Sequence, residues 1–251
     1  MAVNRTGMLW TYARTMLLGK GHVMIPKIFH HIWLGPAPMH PLMVAWCERW
    51  RELHPDWEHW LWTDSPRDPF VLTCGDSRLF SCHTDLLSRA CHASQRSNIW
   101  RYQVVQTYGG VYLDADVEPF RPIDELVGHL GAFAVPRMRP EGLYESAVFG
   151  AEINHPWARE LSGWLPSKDP AVSLSMGADY LTMILRWHPE VARLPKGAFV
   201  FEYPEPDPWV GIRRNELPAP PPVTTIPPEG AYALHHWSSH WFPESFRKVM
   251  A

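Results

Sequence analysis

The apolar residues of this chain switch between two spacings, and the switches mark out an α/β protein. Residues 25–34 form a short run rich in β-branched and aromatic side chains, stopped by Gly35-Pro36, which reads as a buried strand ending in a turn. Residues 43–53 place Met43, Trp46, Cys47 and Trp50 three and four apart, the pattern of a helix with one buried face, and Pro55 ends it. Residues 57–63 return to strand character with Asp64 at the carboxyl end. Strand, helix, strand in that order predicts a parallel α/β layer.

Residues 94–108 read as a long helix stopped by Gly109-Gly110. A strand follows at residues 111–117, where alternation puts Val111, Leu113, Ala115 and Val117 on one face and Tyr112, Asp114 and Asp116 on the other. The apolar face can then be buried while two carboxylates project together. Further on, a strand is expected at 131–136 and helices at 156–165 and 178–187. The proline-dense stretch 204–228 should be largely extended loop, and residues 231–237 should return as a strand. No repeat is visible. The expected architecture is a single Rossmann-like α/β domain over residues 25–251, with a mostly parallel central sheet flanked by helices, preceded by an extension over residues 1–24.

Composition narrows the partners. A net charge of -3 over 251 residues gives no basic field for nucleic acid or an anionic membrane, so any phosphate must be met locally. No apolar run is long enough to span a bilayer, and the first 24 residues lack a signal core, which predicts a cytoplasmic protein. Arg5, Arg14 and Lys20 beside the apolar Met8-Leu9-Trp10 and Met16-Leu17-Leu18 suit a packed N-terminal helix, or an amphipathic one touching a membrane peripherally. Cys82-His83 and Cys91-His92, with Cys74 nearby, do not have the two-to-four-residue ligand spacing of zinc sites and read as reduced thiols. Most of the 14 tryptophans should be core, although indole faces also suit nucleobases and sugars.

The candidate chemistry lies in Asp114-Ala115-Asp116. An Asp-x-Asp pair is weak evidence by itself, but this one closes a helix, Gly-Gly, apolar strand sequence, and open α/β sheets bind ligands at the carboxyl ends of strands. Two hard oxygen donors there suit Mn²⁺ or Mg²⁺ and leave coordination positions for diphosphate oxygens. Nucleotide-sugar transfer needs such an ion, because charge grows on the diphosphate as the anomeric bond breaks.

Two blocks resemble a known family. Ile25-Pro26-Lys27-Ile28-Phe29-His30-His31-Ile32-Trp33-Leu34-Gly35 is similar to the opening strand of the DXD-containing sugar transferases, and Tyr108-Gly109-Gly110-Val111-Tyr112-Leu113-Asp114-Ala115-Asp116 to their signature. Ala233-Leu234-His235-His236-Trp237 is a weaker third match. This family includes yeast initiating mannosyltransferases, α-galactosyltransferases, capsule enzymes and glucosylating toxins. The resemblance implies a GT-A fold and a retaining hexosyl transfer from a UDP- or GDP-sugar to a glycan, lipid or small-molecule hydroxyl. It implies that Asp116 and Asp114 hold Mn²⁺ or Mg²⁺ with His235 completing the sphere, His236 being the reserve. It gives Ile32, Trp33, Asn98, Arg101, Tyr112, Asp114 and Trp237 to the donor, with Trp33 stacking on the base, and gives Asp114, Asp116 and Arg101 catalytic roles.

Two positions depart from the pattern: Asn98 stands where relatives carry aspartate, and His240 separates Ser239 from Trp241. The first puts the donor preference in question and the second the terminal lid. Two other readings compete. Paired acids and histidines also serve metal-dependent phosphohydrolases, and a lectin-like or scaffold protein could bind a sugar nucleotide without turnover.

Overall fold

The computed structural model describes residues 24–65, 67–137, 141–165, 176–200 and 229–236. In chain order its elements are β1 (Ile28–Trp33), α1 (Pro41–Leu53), β2 (Glu58–Asp64), β3 (Val71–Cys74), β4 (Ser77–Phe80), α2 (Thr84–Arg89), α3 (Ala93–Tyr108), β5 (Gly110–Leu113), β6 (Val117–Pro119), α4 (Asp124–Val127), β7 (Ala132–Pro136), β8 (Tyr144–Ala151), α5 (Pro156–Gly163), α6 (Ala178–Leu185), β9 (Ala192–Arg193), β10 (Phe199–Val200) and β11 (Ala233–His235). Among the described residues they form an eight-stranded sheet, ordered β4-β3-β2-β1-β5-β8-β7-β9, and a small sheet ordered β10-β11-β6.

The parallel expectation holds at the centre and at the β7–β9 edge, and fails between them and at the other edge. β1 is parallel to β2 on one side and to β5 on the other, because the helices α1 and α3 supply the crossovers that parallel neighbours need. The hairpin of β3 and β4 and the insertion of β8 are antiparallel, which makes the sheet mixed rather than mostly parallel. None of β3, β4, α2 and β8 is expected from the pattern. β8 carries small residues and is buried almost throughout, so it shows neither alternation nor a bulky apolar run.

Side chains sort onto the two faces of the sheet as the pleat requires. Tyr112 joins Ile32, Trp62, Trp100, Tyr102 and Phe149 in one core, while Val111 and Leu113 join Phe29, Trp50, Val117 and Phe133 in the other. Trp50, Trp62, Trp100 and Trp157 are fully buried. Each such indole withdraws on the order of 200 Å² from water, roughly 5 kcal/mol before chain entropy is charged against it. α1 buries Met43, Trp46 and Trp50, as its spacing predicts, and Pro41 opens it behind the N-cap His40.

His30 ties the centre together. Its Nε2 donates to the Gly109 carbonyl at 2.8 Å, and its Nδ1 accepts from the Trp62 indole at 3.1 Å. Gly109 and Gly110 take positive φ angles of 64° and 91° where α3 turns into β5. A Cβ on Gly110 would lie 2.6 Å from the Ile28 carbonyl oxygen, so glycine there admits β5 beside β1. No described helix is long and apolar enough to cross a membrane. The N-terminal extension through residue 23, the whole proline-dense segment 204–228, and the terminal Ser239-His240-Trp241 lie outside the described residues.

Candidate metal and nucleotide-sugar site

β5 ends at Leu113, one residue before the first carboxylate, which corrects the expectation of a strand running to Val117. The Asp-Ala-Asp segment is instead a turn, closed by the Val117 amide donating to the Asp114 carbonyl at 3.2 Å, and it passes the chain from the large sheet into the small one. The acids meet through that turn and not through a shared pleat. β8 supports it from beneath, since the Asp114 amide donates to the Ala147 carbonyl at 2.9 Å.

β11 lies antiparallel to β6 with His235 opposite Val117, and this register carries the imidazole to the acids. His235 Nε2 stands 3.1 Å from Asp116 Oδ1 and 3.9 Å from Asp114 Oδ2. One ligand atom from each of the three residues lies within 4.8 Å of the others. Burial by itself would lower the His235 pKa, but the carboxylates of Asp116, Asp114 and Glu145 together outweigh it and the net shift is upward. Burial likewise raises Asp114, against the opposing pull of Arg101.

Arg101 projects from α3 into the same place. Its guanidinium donates to the Ser146 carbonyl at 2.7 Å, reaches Asp114 Oδ1 at 3.2 Å, and lies 4.7 Å over the Tyr112 ring. Tyr112 OH in turn donates to Asp114 Oδ1 at 2.5 Å. Arg101 is a buried fork linking β8 to the first aspartate, not a surface cation.

The remaining expected donor residues divide. Trp33, half-buried at the end of β1, donates its indole N–H to the Ala37 carbonyl at 2.8 Å and packs on the cluster of Leu42, Met43, Trp46 and Ala115, which seats it beside the acidic turn. Ile32 points its side chain into the main core, opposite to Trp33, so it is its backbone that can face a ligand. Asn98 is half-buried one turn before Arg101, next to Ser97, whose hydroxyl lies 3.3 Å from Tyr112 OH. Trp237 lies outside the described residues. His236 does not join the acids; it turns to Glu118 at 2.8 Å.

The pattern gives no sign of Ser146 or Glu145, both on β8. Glu145 is buried and paired with Arg137, and burial raises its pKa against the opposing influence of His235 and Arg137. A register shift between Ala134 and Val135 takes residues 146–148 of β8 out of the ladder with β7, while Glu145 stays paired with Val135. None of the four cysteines belongs to the acidic group.

A central sheet flanked by helices, with an acidic turn at the carboxyl end of its middle strand, defines the GT-A class of α/β fold. Residues 43–131 match the family described as glycosyltransferase sugar-binding region containing DXD motif. It is 32% identical over 145 residues to inositol phosphoceramide mannosyltransferase 3 of Schizosaccharomyces pombe, a match covering 57% of this chain and 37% of that protein. It is 28% identical over 134 residues to mannosyl phosphorylinositol ceramide synthase CSH1 of Saccharomyces cerevisiae, covering 53% of this chain and 33% of that one. The chain thus spans well under two thirds of these relatives' length. Among solved structures, PaToxG glycosyltransferase superposes with a TM-score of 0.50 at 16% identity over 66% of this chain and 69% of that one, a likeness of fold.

Proposed function

We propose that the chain is a metal-dependent, retaining hexosyltransferase that uses a UDP- or GDP-sugar. The observation that carries this is the convergence of Asp114, Asp116 and His235 beside Trp33 and Arg101. Two carboxylate oxygens and one imidazole nitrogen form a donor set that suits Mn²⁺ or Mg²⁺. Without a cation, the same acids would repel a diphosphate. The bound ion would neutralise charge developing on the leaving diphosphate. Arg101 holds Asp114 in place through Ser146, and Trp33, whose N–H is already engaged, keeps its ring faces for a base.

The retaining outcome follows from the family likeness. The mannosyltransferase relatives make mannose the first hexose to test and a lipid-borne hydroxyl the first acceptor. The phosphohydrolase reading loses ground because the described residues contain one His/Asp group of metal-binding spacing, where a two-metal hydrolase needs more. Calorimetric titration with UDP and GDP, each with and without Mn²⁺, tests the proposal together with donor hydrolysis by Asp116→Ala. The expected result is metal-dependent nucleotide binding and a loss of hydrolysis of at least about a hundredfold, with the fold intact. Failure of both nucleotides to bind under any condition would overturn it.

A further inference from the structure

The two histidines of β11 face different company. His235 meets Asp116, while His236 places its Nε2 2.8 Å from Glu118 Oε2 and stacks on the Trp46 indole at 4.3 Å and an interplanar angle of 9°. All three members of that second group are buried. The His236 amide also donates to the Asp116 carbonyl at 3.0 Å, carrying the β6–β11 ladder past the end of β6 and onto the acidic turn itself.

We infer that Glu118, His236 and Trp46 act as a clasp that positions the cation ligands His235 and Asp116. This rests on the proposal that Asp114, Asp116 and His235 hold a divalent ion. β11 is three residues long and pairs with only two residues of β10 and three of β6, so its ladder alone fixes its sideways placement weakly. A ligand set must be held to within about half an ångström, and here one ligand comes from a strand far along the chain. The ring of His236 supplies what the short ladder lacks. Its edge is anchored by a hydrogen bond to a buried carboxylate on β6, and its face is pressed on an indole from α1. Because neighbouring strand residues point to opposite sides, fixing His236 also fixes the direction of His235. The same clasp bonds the Asp116 carbonyl, so both ends of the set respond to it.

The test is Mn²⁺ alone, titrated into the full chain by calorimetry, with Asp116→Ala as the non-binding control and thermal unfolding measured in parallel. Glu118→Ala should weaken Mn²⁺ binding about 10- to 100-fold, the usual range for losing an outer partner of a metal ligand. Glu118→Gln, whose carbonyl still accepts from Nε2, should stay within about threefold of wild type on the same argument. If Glu118→Ala does not fold, Trp46→Leu removes the stack while keeping an apolar side chain, and it should show the same weakening. Wild-type binding by Glu118→Ala, or by Trp46→Leu where it replaces that variant, overturns the clasp alone. Equal damage from Glu118→Gln and Glu118→Ala does so too. A wild-type chain that binds Mn²⁺ no better than Asp116→Ala overturns the cation site and the clasp with it.

Discussion

His235 Nε2 stands 3.1 Å from Asp116 Oδ1, although nearly half the chain separates the two residues. That approach is made by strand register: β11 enters beside β6 with His235 opposite Val117, next to the turn that holds both aspartates. The position of the site is therefore a property of the small sheet as much as of the large one.

Arg101 bridges Ser146 and Asp114 with separate nitrogens, and a lysine cannot do both. Arg101→Ala should destabilise the fold by about 3 kcal/mol, because a buried carbonyl and a carboxylate lose their partner. Arg101→Lys should fold well and hydrolyse donor at least about tenfold more slowly, since one misplaced ligand geometry costs on that order. Urea unfolding and a donor-hydrolysis assay read the two effects separately. Wild-type turnover by the lysine variant would show that the fork geometry is irrelevant.

Trp33 donates its N–H to Ala37, which leaves the ring face for the proposed contact with a nucleotide base. Trp33→Ala should weaken UDP or GDP binding by about 1–3 kcal/mol, by analogy with base stacking on aromatic side chains. Its Mn²⁺ affinity should not change. Unaltered nucleotide affinity in a folded variant would remove Trp33 from the donor pocket.

Acid should unfold the protein through two buried histidines of β1. Burial lowers His30 to about 4, and burial followed by His59 lowers His31 to about 3. Both rings are neutral inside and free to protonate once unfolded, so the unfolded chain takes up more protons below its ordinary histidine pKa. Their stabilisation is complete above pH about 6.5 and is lost as pH falls toward 4, at up to roughly 1.4 kcal/mol per pH unit for each ring. Urea midpoints at pH 7.5, 6 and 5 should fall in that order, and a flat series would contradict the assignment.

The alternation in Val111, Tyr112 and Leu113 was readable from sequence and holds, because β5 is buried on both sides and each side chain has one core to enter. The same periodicity carried past Leu113 misleads: Asp114 begins a turn, and nothing in a run of small and acidic residues distinguishes a turn from a pleat. Trp33 and His235 could be singled out because each lies at the end of a strand the pattern marks, and Arg101 through the family resemblance, inside the long helix α3. Ser146 and Glu145 could not, since they sit on a strand without a clear apolar period, and Ser146 lies in a shift of pairing that depends on the neighbouring strand. Glu118 and Trp46 escape notice for a similar reason, as one reads as a strand acid and the other as one more core indole.

The order in which the described elements leave the ribosome matters for the turn between the sheets. Asp114 and Asp116 emerge well before β11, the last strand described, so a nascent or truncated chain ending short of Ala233 carries two adjacent acids and no imidazole to share their charge. Such a fragment can hold every described strand of the large sheet and still lack the third member of the acidic group, which is complete only once β11 has arrived.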